Sequence, residues 1–400
     1  MNETSAVIGS RERRIGLLAD ELRAEAANGL YYGPDAGDAE RFTELRSLAA
    51  RLLAQVDLRE AEEIEAAFRA VNGPATPRLG VVLILSHQRD GVMLVGDPET
   101  GVPGAPHGFV SYEQDPETAL RELARRVIPD EEIVPVPHGV CDSVAAGLPM
   151  CHTYYLTYVV DVTFVPADAF ATTPVAADHL TTPPDALTRY IIDGSDRDVL
   201  DAPLYLPAPV SNILERMRSI ASEGVEKTTD PYNTQRWGRV LETAEAVLAT
   251  ENDDRPLVPA DFGPLDVVTP NAAGEMLIIG DDGRILLMRR SDTGEWAMPG
   301  GGSEVGESSA ATAVRECQEE LGVDVVVDGL AGAYDGRTLG VDSDFVCFVY
   351  VGRIDGASPK PRTTVEAVDF GWFDPAELDG LDMFMAHDVK IARALKVISP

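Results

Sequence analysis

The chain has 400 residues, enough for two or three domains, each with its own core. With 44% hydrophobic and 25% charged residues, its composition is that of a globular protein and excludes a disordered or membrane-embedded class. A formal net charge of −34 would repel a nucleic-acid backbone or an anionic membrane, so neither is an expected partner. A small nucleotide is not excluded, because a metal ion and a few local arginines can supply positive charge.

In chain order, the first elements read as two helices joined by a polar loop, between Leu22 and Ala54, and the same pattern returns between Met217 and Ala249. Gly29, Asp35, Arg41-Phe42, Leu45, Ala49 and Leu52 recur as Gly224, Asp230, Arg236-Trp237, Val240, Ala244 and Val247, each displaced by 195 without a gap. Linkers are expected at Asn72–Pro77 and Asn252–Pro264, where prolines gather.

After each linker comes a β-hairpin pattern. Gly80–Leu85, the turn Asp90-Gly91 and Val92–Val95 match Gly274–Ile279, Asp282-Gly283 and Arg284–Met288. Glu113 and Arg121-Glu122 then match Glu307 and Arg315-Glu316 at an offset of 194, and Asp185–Asp193 resembles Glu366–Asp374 at 181. The expected organisation is a helical segment at 1–75, an α/β domain at 76–205, a second helical segment at 206–262 and a second α/β domain at 263–400.

The second copy carries the chemistry. Pro299-Gly300-Gly301-Gly302 lets a backbone approach a ligand closely. Ser308–Leu321 lacks proline and glycine and predicts a helix stopped by Gly322, with Ala310, Val314, Cys317 and Leu321 as its buried stripe. Glu316, Glu319 and Glu320 stand at i, i+3 and i+4, so their carboxylates converge and call for a hard cation, Mg²⁺ or Mn²⁺. Arg315 can brace one of them through paired hydrogen bonds.

Gly301, Glu307, Arg315-Glu316, Glu319-Glu320 and Gly322-Val323 together resemble the Nudix box at every defined position. The resemblance implies an α/β (α+β) fold class: two Nudix-type α/β/α sandwiches, each preceded by a helical segment. It implies a metal-dependent pyrophosphohydrolase that splits a nucleoside diphosphate linked to another moiety. Glu316, Glu319 and Glu320, with the Gly300 carbonyl, would be metal ligands, Arg315 would orient a carboxylate, and Glu307 would support the box. Glu366 would add a carboxylate from a later loop. The bound cation offsets pyrophosphate charge and activates water, and Glu319, Glu320 or Glu366 takes the proton. Arg289 and Arg290 are candidates for phosphate or base contact, and Trp296 for stacking on a base. A triphosphate-sanitising hydrolase and a nucleotide-sensing protein without turnover are the competing readings.

In the first copy Arg125 and Arg126 replace Glu319 and Glu320, Ile128 replaces Gly322, and His107 is expected where the second copy has Gly301. Two guanidinium groups invert the local charge, so that copy should hold no divalent metal; two readings stand, a structural partner in an internal pseudo-dimer and a regulatory site whose arginines hold an anionic ligand. The helical segments resemble the N-terminal domain of some bacterial Nudix enzymes acting on X-linked nucleoside diphosphates, which leaves room for a further homodimer. The four cysteines match neither a zinc motif nor a disulfide framework, and no signal-peptide or membrane-spanning run is apparent, so a cytoplasmic setting is expected.

Overall fold

A computed structural model of the chain describes residues 9–398, apart from 72, 88–90, 97–101, 129–132, 147, 149–150, 163–174, 177–186, 189–190, 192–205 and 251–254. The chain forms two compact units, each drawing on both halves of the sequence. One comprises 1–77, 141–153 and 184–268, and the other 78–140, 154–183 and 269–400.

The first unit is helical. Helices α1 (Ser10–Tyr31), α2 (Ala36–Leu53) and α3 (Ala61–Ala70) come from the first half. Helices α5 (Ala208–Lys227) and α6 (Pro231–Leu248) come from the second half. Asp35 caps α2 by accepting from the Asp38 N–H, and Asp230 caps α6 by accepting from Tyr232 and Asn233. Phe42 and Trp237, the matched aromatics of the repeat, are both fully buried and stack on each other at 4.2 Å with planes 10° apart. Each presses on the glycine of its own hairpin. A Cβ at Gly29 would lie 2.4 Å from the Phe42 ring, and one at Gly224 would lie 2.4 Å from Trp237. Asp38, also buried, accepts from the Trp237 indole N–H at 3.0 Å, from Thr228 at 2.6 Å and from Arg41 at 2.7 Å.

The second unit holds two sheets of the same design. In the first, β1 (Arg78–His87), β2 (Gly91–Gly96), β3 (Pro103–Gly104), β4 (His107–Phe109), β5 (Val136–Asp142), β6 (Thr153–Val162) and β7 (Val175–Ala176) run in the order β3-β2-β1-β6-β5. Strand β4 pairs with β1 and β7 with β2. The second sheet uses β8 (Asn271–Ile279), β9 (Ile285–Arg290), β10 (Trp296–Ala297), β11 (Gly300–Gly302), β12 (Val325–Asp335), β13 (Phe345–Ile354) and β14 (Ala367–Phe373) in the order β10-β9-β8-β13-β12. There β11 pairs with β8 and β14 with β9, so each strand of one sheet has a counterpart in the other. The second sheet is mixed: β13 runs parallel to β8, whereas β9 and β11 run antiparallel to it.

Helix α4 (Pro116–Val127) lies on the first sheet and α7 (Ser309–Leu321) on the second. Met276, Ile278, Leu286 and Met288 on one face of the second sheet pack with Ala313, Cys317 and Leu321 of α7. Leu277, Ile285, Leu287 and Val349 on the other face pack with Ile391 and Ala394 of α8 (His387–Ile398). The result is a sheet between helices. Tyr154 of β6 and Phe348 of β13, 194 residues apart, meet edge to face at 5.5 Å.

Three sequence expectations need correction or placement. Only Leu187, Thr188 and Ile191 of Asp185–Asp193 are among the described residues; among those described, Val175–Ala176 pair with β2 as β14 pairs with β9. The Asp90 half of the first hairpin turn, Asn72 and residues 252–254 of the linkers also lie outside the described residues. The buried face of α7 turns further than the expected stripe: Ala310 and Val314 are only partly buried, while Thr312, Ala313, Glu316 and Glu320 are buried. No helix among the described residues is long and apolar enough to cross a membrane.

Candidate active site

The site grows from the junction of β11 with α7. Gly300, Gly301 and Gly302 pair with Glu275, Gly274 and Ala273 of β8, which holds the glycine strand flat beneath the helix. Ser308 caps α7 by accepting from the Ala311 N–H, and Gly322 closes it at φ +67°. The Gly300 N–H donates to Glu320 Oε2 at 2.9 Å. A Cβ at Gly301 would stand 2.4 Å from Glu316 Oε1, so only glycine leaves room for that carboxylate.

Arg315 is the hub. It donates to Glu307 through Nε at 3.2 Å and Nη2 at 2.9 Å, to Glu316 Oε1 at 2.8 Å, to Glu319 Oε2 at 3.0 Å and to the Gly302 carbonyl at 3.1 Å. Burial opposes its charge, but the bonds to Glu307 and the field of Glu316 raise its pKa further. Glu307 also accepts from the Glu304 N–H and the Thr312 hydroxyl, each at 2.8 Å, and so ties loop to helix.

Glu316 and Glu320 are 7% and 3% exposed, whereas Glu319 lies on the outer side of the helix. Burial pushes the Glu316 carboxyl up to about 7, and the nearby Glu319 and Glu366 add to it against the pull of Arg315. Burial pushes Glu320 up to about 9, with further contributions from Glu316 and Glu366. Glu366, at the entry to β14, is therefore close enough to act electrostatically on both. Among the described residues, however, no three His, Cys, Asp or Glu side chains surround one point at metal-binding distance. Arg315 Nη1 donates to an oxygen of Glu316 and to one of Glu319, so these two carboxylates meet at the guanidinium. An all-oxygen donor set fits a hard divalent cation, and the Gly300 carbonyl belongs to the same loop.

Of the candidate substrate residues, Arg290 lines a pocket beside the glycine strand. It pairs with Asp292 at 2.7 Å, lies 4.1 Å over the Phe384 ring, and faces Glu320 and Glu366. Arg289 turns away to the Gly294 carbonyl at 2.8 Å. Trp296 packs edge-on against Phe373 at 4.8 Å in the core below α8 and does not line the pocket, because β10 directs it to that face.

The first copy lacks this arrangement. With Gly80 set against Gly274, the strand pairing puts Phe109 at the place of Gly301, and His107 falls two residues short of it. Arg121 pairs with Glu117 rather than Glu113, and Glu122 accepts from Gln114 at 2.8 Å. Arg125 and Arg126 are exposed. Hydrogen bonds join this copy to the loops around the site. The Tyr154 hydroxyl donates to the Glu307 carbonyl at 2.6 Å, and Arg337 donates to the Gln114 carbonyl at 2.7 Å and to that of Tyr112.

Sequence reasoning missed Glu275, His387 and Lys390, a buried polar group under the glycine strand. A signal was present, since Glu275 interrupts an apolar strand where the first copy has Val81.

The sheet between helices, the glycine strand and the arginine-braced glutamate helix all fall within a stretch of the chain that resembles a known domain family. Residues 269–395 match the NUDIX domain, and residues 14–68 match the UDP-X-like, N-terminal oligomerisation domain. Among curated proteins the chain is 35% identical over 102 residues to a MutT-like protein of Streptomyces ambofaciens, covering 26% of this chain and 62% of that one. It is 28% identical over 125 residues to YjhB of Bacillus subtilis (strain 168), provisionally named an ADP-ribose pyrophosphatase, covering 31% of this chain and 60% of that one. The chain thus spans about three-fifths of the length of these relatives. Among solved structures a UDP-X diphosphatase is similar at 22% identity and a TM-score of 0.40, over 47% of this chain and 93% of that one.

Proposed function

We propose that the chain is a divalent-metal-dependent Nudix pyrophosphohydrolase that cleaves the diphosphate of a nucleoside diphosphate joined to another moiety. The observation that carries this reading is the pair of buried carboxylates Glu316 and Glu320, pushed up to about 7 and 9 beside a glycine strand and within reach of Glu366. Such a cluster is costly unless a cation neutralises it. Glu316, Glu319, Glu320 and the Gly300 carbonyl would hold Mg²⁺ or Mn²⁺, which supplies charge neutralisation and water activation at a pyrophosphate. Arg315 fixes the glutamates, Arg290 meets phosphate charge, and Glu366, Glu319 or Glu320 receives the proton. The named relatives are pyrophosphatases and MutT-like proteins, which supports the same reaction class.

The first Nudix-like copy is read as a metal-free brace, whose Tyr154, Tyr112 and Gln114 hold the loops of the active copy. The helical repeat pairs with itself inside one chain, so the oligomerisation domain finds its partner internally. All four cysteines are free thiols, which supports a reducing, cytoplasmic setting. The deciding experiment is a phosphate-release screen over nucleoside diphosphate sugars, dinucleotides and nucleoside triphosphates, with Mg²⁺ and with Mn²⁺. Turnover of the diphosphate derivatives is expected. Preference for triphosphates would move the assignment to a sanitising hydrolase, and activity on none would leave a nucleotide-binding protein.

A further inference from the structure

Beside the glycine strand lies a pocket of about 200 Å³, walled by Phe345, Phe384 and Tyr334 and floored by Glu275, His387 and Lys390. Glu275 is 5% exposed. Its Oε1 pairs with the Lys390 ammonium and faces His387 Nε2 at 3.4 Å. The Met298 N–H donates to His387 Nδ1 at 2.9 Å, so that nitrogen carries no proton and the ring presents its single N–H to Glu275. Burial lowers the His387 pKa and keeps the ring neutral.

Oε1 is thus taken up by Lys390 and His387, while the second oxygen, Oε2, is buried without a hydrogen-bond partner among the described residues. Native proteins rarely leave a charged acceptor in that condition unless a ligand completes it. The wall of the pocket also contains Met385, a non-glycine residue held at φ +39°. Among the charged lining residues Lys390 and Arg290 outnumber Glu275, so a cationic occupant is disfavoured. The free oxygen accepts, and the remaining N–H groups of Lys390 donate. The complementary ligand is neutral and planar, with a ring N–H next to a carbonyl oxygen, the edge of uracil and of guanine. Aromatic walls suit such a ring.

We propose that this pocket receives the nucleobase, and that Glu275 selects bases presenting a ring N–H beside a carbonyl. The proposal rests on the pyrophosphohydrolase reading and adds the recognition element to it. Val81 at the matching position of the first copy has no such acceptor.

The test compares uridine and guanosine diphosphate sugars with their N3-methyluridine and N1-methylguanosine counterparts on the wild-type chain with Mg²⁺. Methylation is expected to lower kcat/KM at least tenfold, mostly through KM. Glu275→Gln should then narrow the gap between methylated and unmethylated substrates, and its thermal melt separates recognition from misfolding. Equal turnover of methylated and unmethylated substrates by the wild type would overturn the proposal even if the variant fails to fold. Turnover of an adenosine diphosphate sugar but of none of the four would overturn the proposal and leave the pyrophosphohydrolase reading standing, whereas turnover of no nucleoside diphosphate sugar at all would strike that reading.

Discussion

Arg315 touches three glutamates and a carbonyl, and each contact restrains a carboxylate that would otherwise repel its neighbours. Lysine has the charge but not the fork, so Arg315→Lys should weaken metal affinity by about 10–100-fold while the fold persists. Isothermal titration with Mn²⁺ reads this directly, and unchanged affinity would refute the bracing role. Glu320→Gln should lower metal-dependent phosphate release by about 100-fold or more. Arg125→Ala, in the other copy, should leave turnover near wild type, and comparable losses from both changes would sink the assignment of a single site. The box was legible in the sequence because its spacing places glutamates on one side of a helix. What spacing could not give was direction. Trp296 enters a core against Phe373, because that choice depends on neighbours distant in sequence.

At the level of elements, the helical hairpins depend on close approach of aromatic and glycine. Gly224→Ala would push a methyl group into the Trp237 ring and should destabilise the helical unit by about 1–3 kcal/mol. Chemical denaturation followed by tryptophan fluorescence would register it, and an unshifted midpoint would refute the packing. Glu21 in α1 is pushed up to about 8, first by burial and then by Asp20 and Glu25. Its folded pKa lies above the unfolded value near 4.5, so its contribution is full below that pH and is lost as pH rises to about 8. Unfolding measured across that window should therefore show declining stability, which Glu21→Gln flattens. The helices and hairpins were readable from periodicity and turn residues. Less readable was the pairing of Val175–Ala176 with β2, since it is decided in space and no repeat in the sequence marks it.

For the whole molecule, the repeat was visible as a fixed offset of 194 or 195, but a linear repeat does not say which pieces pack together. Four consecutive segments sort by kind instead, helices with helices and sheets with sheets. If both pairings satisfy the surfaces that separate chains would use, light scattering should find a particle near 42.9 kDa. A particle of twice that mass would show that a further surface is in use. The Phe42–Trp237 stack has a consequence of its own. Two identical chains meeting about a symmetry axis inherit every substitution in duplicate, so an indole seeking one carboxylate acceptor would confront a second indole. Joined in one gene, the partners are made in equal number and mutate independently. Asp38 can then serve Trp237 while its twin position has become Asn233, and one half can surrender its glutamates without costing the other its own.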